Sequence, residues 1–213
     1  MKKIDYTLYL CTDRKSMKLG NLQEVAEQAI MGGCSVIQLR EKECSTREFF
    51  QTAKGIKSIT EKYNIPLIIN DRTDIALAVG AEGVHLGQED LPVTEARRIL
   101  GKDKIIGASA HNLEEALKAW KDGADYLGVG AIFGTKTKEN AVITSIDTLR
   151  EICRQVPVPV VAIGGVGREN IEKLRHTGIG GVCVVSAIMA SERPKEAAAE
   201  LLMRVREVQN EGI

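Results

Sequence analysis

The residues best suited to chemistry sit in short polar runs that each follow an apolar one. In VIQLREK, Gln38, Arg40 and Lys42 recur at every second position, so an extended strand projects all three from one face while Ile37 and Leu39 point the other way. IIND ends in Asn70 and Asp71, and GQEDLP holds Glu89 and Asp90. Two carboxylates on adjacent strand ends suit a hard cation such as Mg²⁺, which takes oxygen ligands and keeps several waters. GASAH supplies Ser109 and His111, AIGGVG supplies Gly164 and Gly165, and VVSAI supplies Ser186. In AIFGTKTKEN an apolar run breaks into Gly134, Thr135, Lys136, Thr137 and Lys138, whose hydroxyl and ammonium donors suit anions. Local readings compete: Asp71 as the N-cap of RTDIALAVG, Asp90 as a plain loop acid with Glu89 as rival ligand, and His111 as the cap of NLEEALKAW.

Taken together these groups offer side-chain cations, one bound metal and a glycine cradle, enough for a diphosphate and a monophosphate in one mouth. Acids, bases and nucleophiles are scarce. Ser109 has no adjacent base held by a third residue, as an activated serine needs. The chemistry that fits is departure of a metal-bound diphosphate, driven by electrostatic stabilisation rather than proton transfer.

Such a site needs elements to hold it. Apolar strands alternate with amphipathic helices along the chain: YTLYLCTD, SVIQLRE, PLIIND, GVHLG, IIGASA, YLGVGAIF, PVVAIGG and GVCVVSAIM are each followed by a helical pattern, the seventh being RENIEKLRHTG. Helix-ending glycines at Gly33, Gly80, Gly123 and Gly178 precede strands and mark a weak repeat of two units. The strands are too continuously apolar for a sheet with one wet face, so helices must cover them. The expected fold is α/β, a single (β/α)8 TIM barrel over residues 1–213, with the polar runs at the C-terminal mouth. Gly164, Gly165 and Ser186 then fall in the seventh and eighth loops, where glycines let backbone N–H groups approach phosphate.

Composition narrows the partners. Twenty-nine basic residues balance twenty-nine acidic ones, so no overall field draws nucleic acid or an anionic membrane, and small molecules are the expected partners. The N-terminal MKKIDYTLYL has no long apolar core or cleavage site, and no run reaches membrane-span length, so a cytoplasmic location is expected. Five scattered cysteines lack a metal or disulfide spacing and read as small hydrophobes.

LYLCTDR, VIQLREK, IINDRTDIALAVGAEGVHLGQEDLP, GASAHNLEEA, GAIFGTKTK, VVAIGGV and VVSAI, in this order, resemble the thiamine-phosphate synthase family over nearly the whole chain. The resemblance implies a Mg²⁺-dependent barrel enzyme joining hydroxymethylpyrimidine diphosphate to a thiazole phosphate. The products would be thiamine monophosphate and diphosphate, formed by a dissociative substitution. It implies that Gln38, Leu39, Arg40, Glu41 and Lys42, with Asn70, Ser109 and Lys138, hold the pyrimidine diphosphate. Arg40, Lys42, Ser109 and Lys138 would form the catalytic set. Asp71 and Asp90 would bind Mg²⁺, settling Asp90 over Glu89, and Thr135, Lys136, Thr137, Gly165, Val185 and Ser186 would hold the thiazole phosphate. Tyr9, facing inwards, either lines the pyrimidine pocket or fills the barrel core.

Two departures and two rivals complete the reading. The family's sixth loop runs close to GPIFPTxTK, and Ala131 and Gly134 replace its prolines, so the empty loop is expected to be less ordered. A thiazole tautomerase of the same barrel family would keep the phosphate cradle without the diphosphate clamp and metal pair. A non-catalytic phosphate-metabolite sensor would bind without turnover.

Overall fold

Eight parallel strands close on themselves in a computed structural model that describes residues 4–18, 20–134 and 142–210. They are β1 (Leu8–Cys11), β2 (Val36–Leu39), β3 (Leu67–Asn70), β4 (Gly83–Leu86), β5 (Ile105–Ala110), β6 (Tyr126–Val129), β7 (Val160–Ile163) and β8 (Gly181–Val184). Neighbours in space are neighbours in sequence, and β8 returns to β1 with Val184 opposite Leu10. The helices are α1 (Leu22–Met31), α2 (Thr46–Lys62), α3 (Thr73–Ala78), α4 (Val93–Leu100), α5 (Leu113–Lys121), α6 (Ile146–Gln155), α7 (Ser186–Met189) and α8 (Pro194–Asn210). The architecture is the expected (β/α)8 barrel.

Local chemistry accounts for the helix starts. Asn21 with Glu24, and Ser45 with Glu48, form reciprocal capping boxes at α1 and α2, while Asn112 and Ser145 accept from backbone N–H groups at the starts of α5 and α6. Gly33, Gly80, Gly123 and Gly178 all have positive φ, between 68° and 105°, the first three just after the ends of α1, α3 and α5.

One expected helix is absent. RENIEKLRHTG forms only a 3₁₀ turn over Ile171–Leu174. Asn170 spends its side chain on the preceding loop, accepting from Gly167 N at 2.9 Å and donating to Gly165 O at 2.8 Å, so it caps no helix. The two buried residues, Ile171 and Leu174, stand three apart, the repeat at which side chains eclipse in a 3₁₀ turn.

Alternation along the strands creates two cores. Leu8, Leu10, Ile37, Leu39, Leu67 and Ile69 face outwards to the helices, whereas Tyr9, Cys11, Val36, Ile68, Ile105, Tyr126, Val161 and Cys183 fill the barrel itself. Tyr9 belongs to that inner filling, 1% exposed, and stops short of the mouth. Cys11, Cys34 and Cys183 are buried, Cys153 is half-buried and Cys44 is exposed. No helix among the described residues is long and apolar enough to cross a membrane.

Candidate active site

Above the inner filling, the C-terminal ends of the strands surround a cavity of about 640 Å³. Its first wall comes from β2, β3 and β4. Gln38, Arg40 and Lys42 all line it, as strand alternation predicts, and Asn70, Asp71, Glu89 and Asp90 line it from the next two strand ends. Leu39 and Glu41, interleaved in the same run, send their side chains elsewhere: Leu39 packs against the helices and Glu41 pairs with Arg14 Nε at 2.7 Å. Only their backbone is available to the mouth.

Arg40, Lys42, Asp71 and Asp90 on this wall all have partners. Arg40 Nη1 lies 3.2 Å from Asp13 Oδ1, and the Arg40 N–H donates to Thr12 Oγ1 at 3.1 Å. Lys42 Nζ lies 2.5 Å from Asp71 Oδ2. Asp71 has φ 62°, a left-handed conformation that Asp and Asn tolerate better than most residues. It caps no helix: α3 starts after Arg72, without a side-chain cap. Burial and a side-chain hydrogen bond with Asp71 push the Asp90 carboxyl above its ordinary value, against the N–H of Gly87, which donates to Asp90 Oδ2 at 2.6 Å. Two carboxylates this close repel when both are ionised, and a cation between them relieves that repulsion. The described residues hold no group of three or more His, Cys, Asp or Glu side chains placed for a metal. A cation here would therefore complete its shell with water or ligand oxygens, which is how Mg²⁺ is commonly held.

The floor is polar and uncharged. Ser109, on β5, lies 3.0 Å from His85 Nε2, and Gln88 Nε2 donates to the Ser109 carbonyl at 2.6 Å. Burial lowers the His85 pKa to about 4, so the imidazole is neutral at neutral pH. His111 also lines the cavity, with Nδ1 2.8 Å from Glu115 Oε2; Asn112, not His111, caps α5.

The opposite wall comes from β6, β7 and β8 and carries Ala131, Gly164, Gly165, Val185 and Ser186. Gly165 has φ 65°, and a Cβ there would stand 2.4 Å from Gly134 O and 2.9 Å from the Phe133 carbonyl. The loops after β6 and β7 approach this closely because Gly165, like Gly164, has no side chain; Phe133 N donates to Gly164 O at 2.9 Å. Ala131 is buried and its backbone pairs with Val142 and Thr144. Thr135, Lys136, Thr137 and Lys138 lie outside the described residues, as does the stretch on which the expected loss of loop order falls.

A family model described as TMP-TENI, thiamine monophosphate synthase, matches residues 8–188. Thiamine-phosphate synthase of Clostridium tetani is 57% identical over 200 residues, covering 94% of this chain and 96% of that protein. The one from Ruminiclostridium cellulolyticum is 57% identical over 200 residues, covering 94% and 95%. The chain belongs to the thiamine-phosphate synthase family. Among solved structures, thiamine phosphate pyrophosphorylase from Pyrococcus furiosus superimposes with a TM-score of 0.87 at 41% identity, covering 96% of this chain and 97% of that one. Like these relatives, the protein is an enzyme, a transferase.

Against the family assignment, four groups at the site stand out as unread in the sequence. His85, Tyr126, Gln88 and Asn170 bond to residues of the mouth or stand beneath it. His85 and Tyr126 had a usable signal: in GVHLG and YLGV they alternate with outward-facing Val84 and Leu86, and with Leu127 and Val129, so the strand period turns both inwards.

Proposed function

We propose that the enzyme couples hydroxymethylpyrimidine diphosphate to a thiazole phosphate, or its carboxylated form, releasing thiamine monophosphate and diphosphate in a Mg²⁺-dependent, dissociative substitution. The observation that carries this reading is the convergence of Arg40, Lys42, Asn70, Asp71 and Asp90 on one wall of the cavity. A site for the thiazole phosphate alone has no use for that wall.

Gln38 and Ser109 would receive the aminopyrimidine ring at the floor, and Asn70, Arg40 and Lys42 would hold the diphosphate above it, joined by Lys138. Arg40 is held in place by Asp13, and Lys42 is free to exchange Asp71 for a phosphate oxygen. Asp71 and Asp90 would hold a Mg²⁺, which when bound offsets charge growing on the departing diphosphate. The wall of Gly165, Val185 and Ser186, with Thr135, Lys136 and Thr137, would hold the thiazole phosphate through backbone and hydroxyl donors. The two substrates then face each other across the cavity, with the thiazole nitrogen directed at the pyrimidine methylene. Proximity and electrostatics carry the barrier reduction, since no step needs a protein acid or base.

The test is an assay of purified protein with both substrates and Mg²⁺, following thiamine monophosphate and diphosphate together, with and without chelator. Equal, chelator-sensitive formation of both is expected. Binding of the thiazole phosphate without coupling would overturn the reading in favour of a tautomerase or a sensor.

A further inference from the structure

Beneath the floor of the mouth, Ser109 and Gln38 are joined by a buried chain of neutral polar groups, His85, Tyr126 and Tyr9, that the scheme above leaves without a task. Ser109 Oγ lies 3.0 Å from His85 Nε2, and His85 Nδ1 lies 2.9 Å from the Tyr126 hydroxyl. That hydroxyl lies 2.8 Å from the Tyr9 hydroxyl, which accepts from Gln38 Nε2 at 2.7 Å. The chain crosses the barrel from β5 through β4, β6 and β1 to β2, and both of its ends, Ser109 and Gln38, line the cavity. The barrel makes room for it: a Cβ on Gly107 would stand 2.1 Å from Tyr126 Cζ, and one on Gly128 would stand 3.0 Å from His85 Cε1.

Such a chain has a direction. The Cys11 thiol donates to Gln38 Oε1 at 3.3 Å, which leaves the amide NH₂ facing Tyr9. Tyr9, receiving that proton, passes its own to Tyr126, and Tyr126 to His85 Nδ1; the opposite sense would satisfy the same hydroxyls only with the Gln38 amide turned over, its NH₂ on the Cys11 sulfur, a weak acceptor. A neutral imidazole that accepts at Nδ1 carries its proton on Nε2 and donates it to Ser109 Oγ. The Ser109 proton is then free to point into the mouth. Run backwards, the chain would draw the Ser109 hydroxyl proton into His85 Nε2 and leave only an acceptor facing the substrate.

We propose that His85, Tyr126 and Tyr9 are positioning residues that fix the direction of this chain, so that Ser109 offers a donor and the site selects a pyrimidine with an unprotonated ring nitrogen there. The inference rests on the function proposed above and adds its specificity: a 4-oxo pyrimidine diphosphate, whose ring carries N–H beside the oxo group, is rejected in favour of the 4-amino substrate. No group in the chain needs to ionise, and none touches the leaving group.

Two measurements decide it. In protein with isotope-labelled histidine, the His85 nitrogens, identified by their loss in His85→Gln, should show a proton on Nε2 and a bare Nδ1 at neutral pH; a proton on Nδ1 would overturn the proposal. Dissociation constants of the amino and oxo diphosphates should differ strongly in the native enzyme, and Tyr126→Phe should shrink that ratio by about tenfold, the worth of one directed hydrogen bond. An unchanged ratio, with both ligands weakened alike, would reduce the chain to packing and sink the idea. Should Tyr126→Phe fail to fold, Tyr9→Phe cuts the next link and the same ratio is read. If the native protein couples no pyrimidine diphosphate at all, the function above falls, while the histidine spectrum still decides the direction of the chain.

Discussion

The wall of the mouth built by β2, β3 and β4 carries Arg40, Lys42, Asp71 and Asp90, whereas the wall built by β7 and β8 carries Gly164, Gly165, Val185 and Ser186. The first would recognise ligands by charge, and it holds Lys42 on Asp71 and Arg40 on Asp13. The second has no ionisable side chain among those four residues and depends on how closely backbone can approach. A charged wall tolerates small displacements, because Coulomb attraction falls off slowly, but it responds to pH and to cations. A backbone wall is insensitive to both and responds sharply to a single added carbon.

Substitutions that exploit this difference should separate the two walls. The largest effect is expected for Asp71→Asn, which keeps the left-handed conformation at φ 62° and removes one negative charge from the carboxylate pair proposed to hold Mg²⁺. Turnover at saturating Mg²⁺ should fall by roughly a hundredfold or more, with little change in melting temperature. Unchanged turnover would remove Asp71 from the mechanism.

Acid should weaken the charged side next. His85, under that wall, has its pKa lowered to about 4 by burial, below the roughly 6.5 of an unfolded chain. The unfolded state therefore binds the proton first. The stability His85 contributes is complete above about pH 6.5 and is lost as pH falls towards 4, in all roughly 3 kcal/mol. Denaturant titrations at several pH values on the native protein and on His85→Gln should show the variant with a shallower slope across that window; equal slopes would contradict the assignment.

The backbone wall should break at Gly165→Ala. The new Cβ meets the Gly134 and Phe133 carbonyls at a positive φ, and a cost of about 2 kcal/mol in stability is expected, with a raised KM for the thiazole phosphate. The KM for the pyrimidine diphosphate should change much less. Equal changes in both would mean that the two walls are not independent. The smallest effect belongs to Asn170→Ala, which frees the Gly165 carbonyl and the Gly167 N–H from their tether. A loss of about 1 kcal/mol, seen as a few-fold rise in the same KM with turnover kept, is expected.

The two walls also differ in how far the sequence exposed them. Gln38, Arg40 and Lys42 were legible because strand alternation alone puts them on one face, and it also separated Leu39 from them. Gly164 and Gly165 were legible as flexible backbone, but not the reason for them, since their neighbours Ala131, Phe133 and Gly134 come from the loop before. RENIEKLRHTG was read as a helix because charge and apolar spacing allow one; the claim of Gly165 and Gly167 on Asn170 decided otherwise. His111 was placed at the mouth, where it lies, and the competing reading of it as a cap falls because Asn112, one residue later, performs that role.

What the sequence by itself determined is most of what depends on local period: eight strands, the helices that follow seven of them, the inward and outward faces, and which end of the barrel carries polar groups. What only the tertiary structure decided is which inward residues stand at the same level. Tyr9 and Tyr126, 117 positions apart, share a hydrogen bond at 2.8 Å, and Lys42 reaches Asp71 across 29 positions. Those meetings follow from the tilt and stagger that strands must adopt to close a barrel, a property of all eight strands together that no single strand's pattern contains.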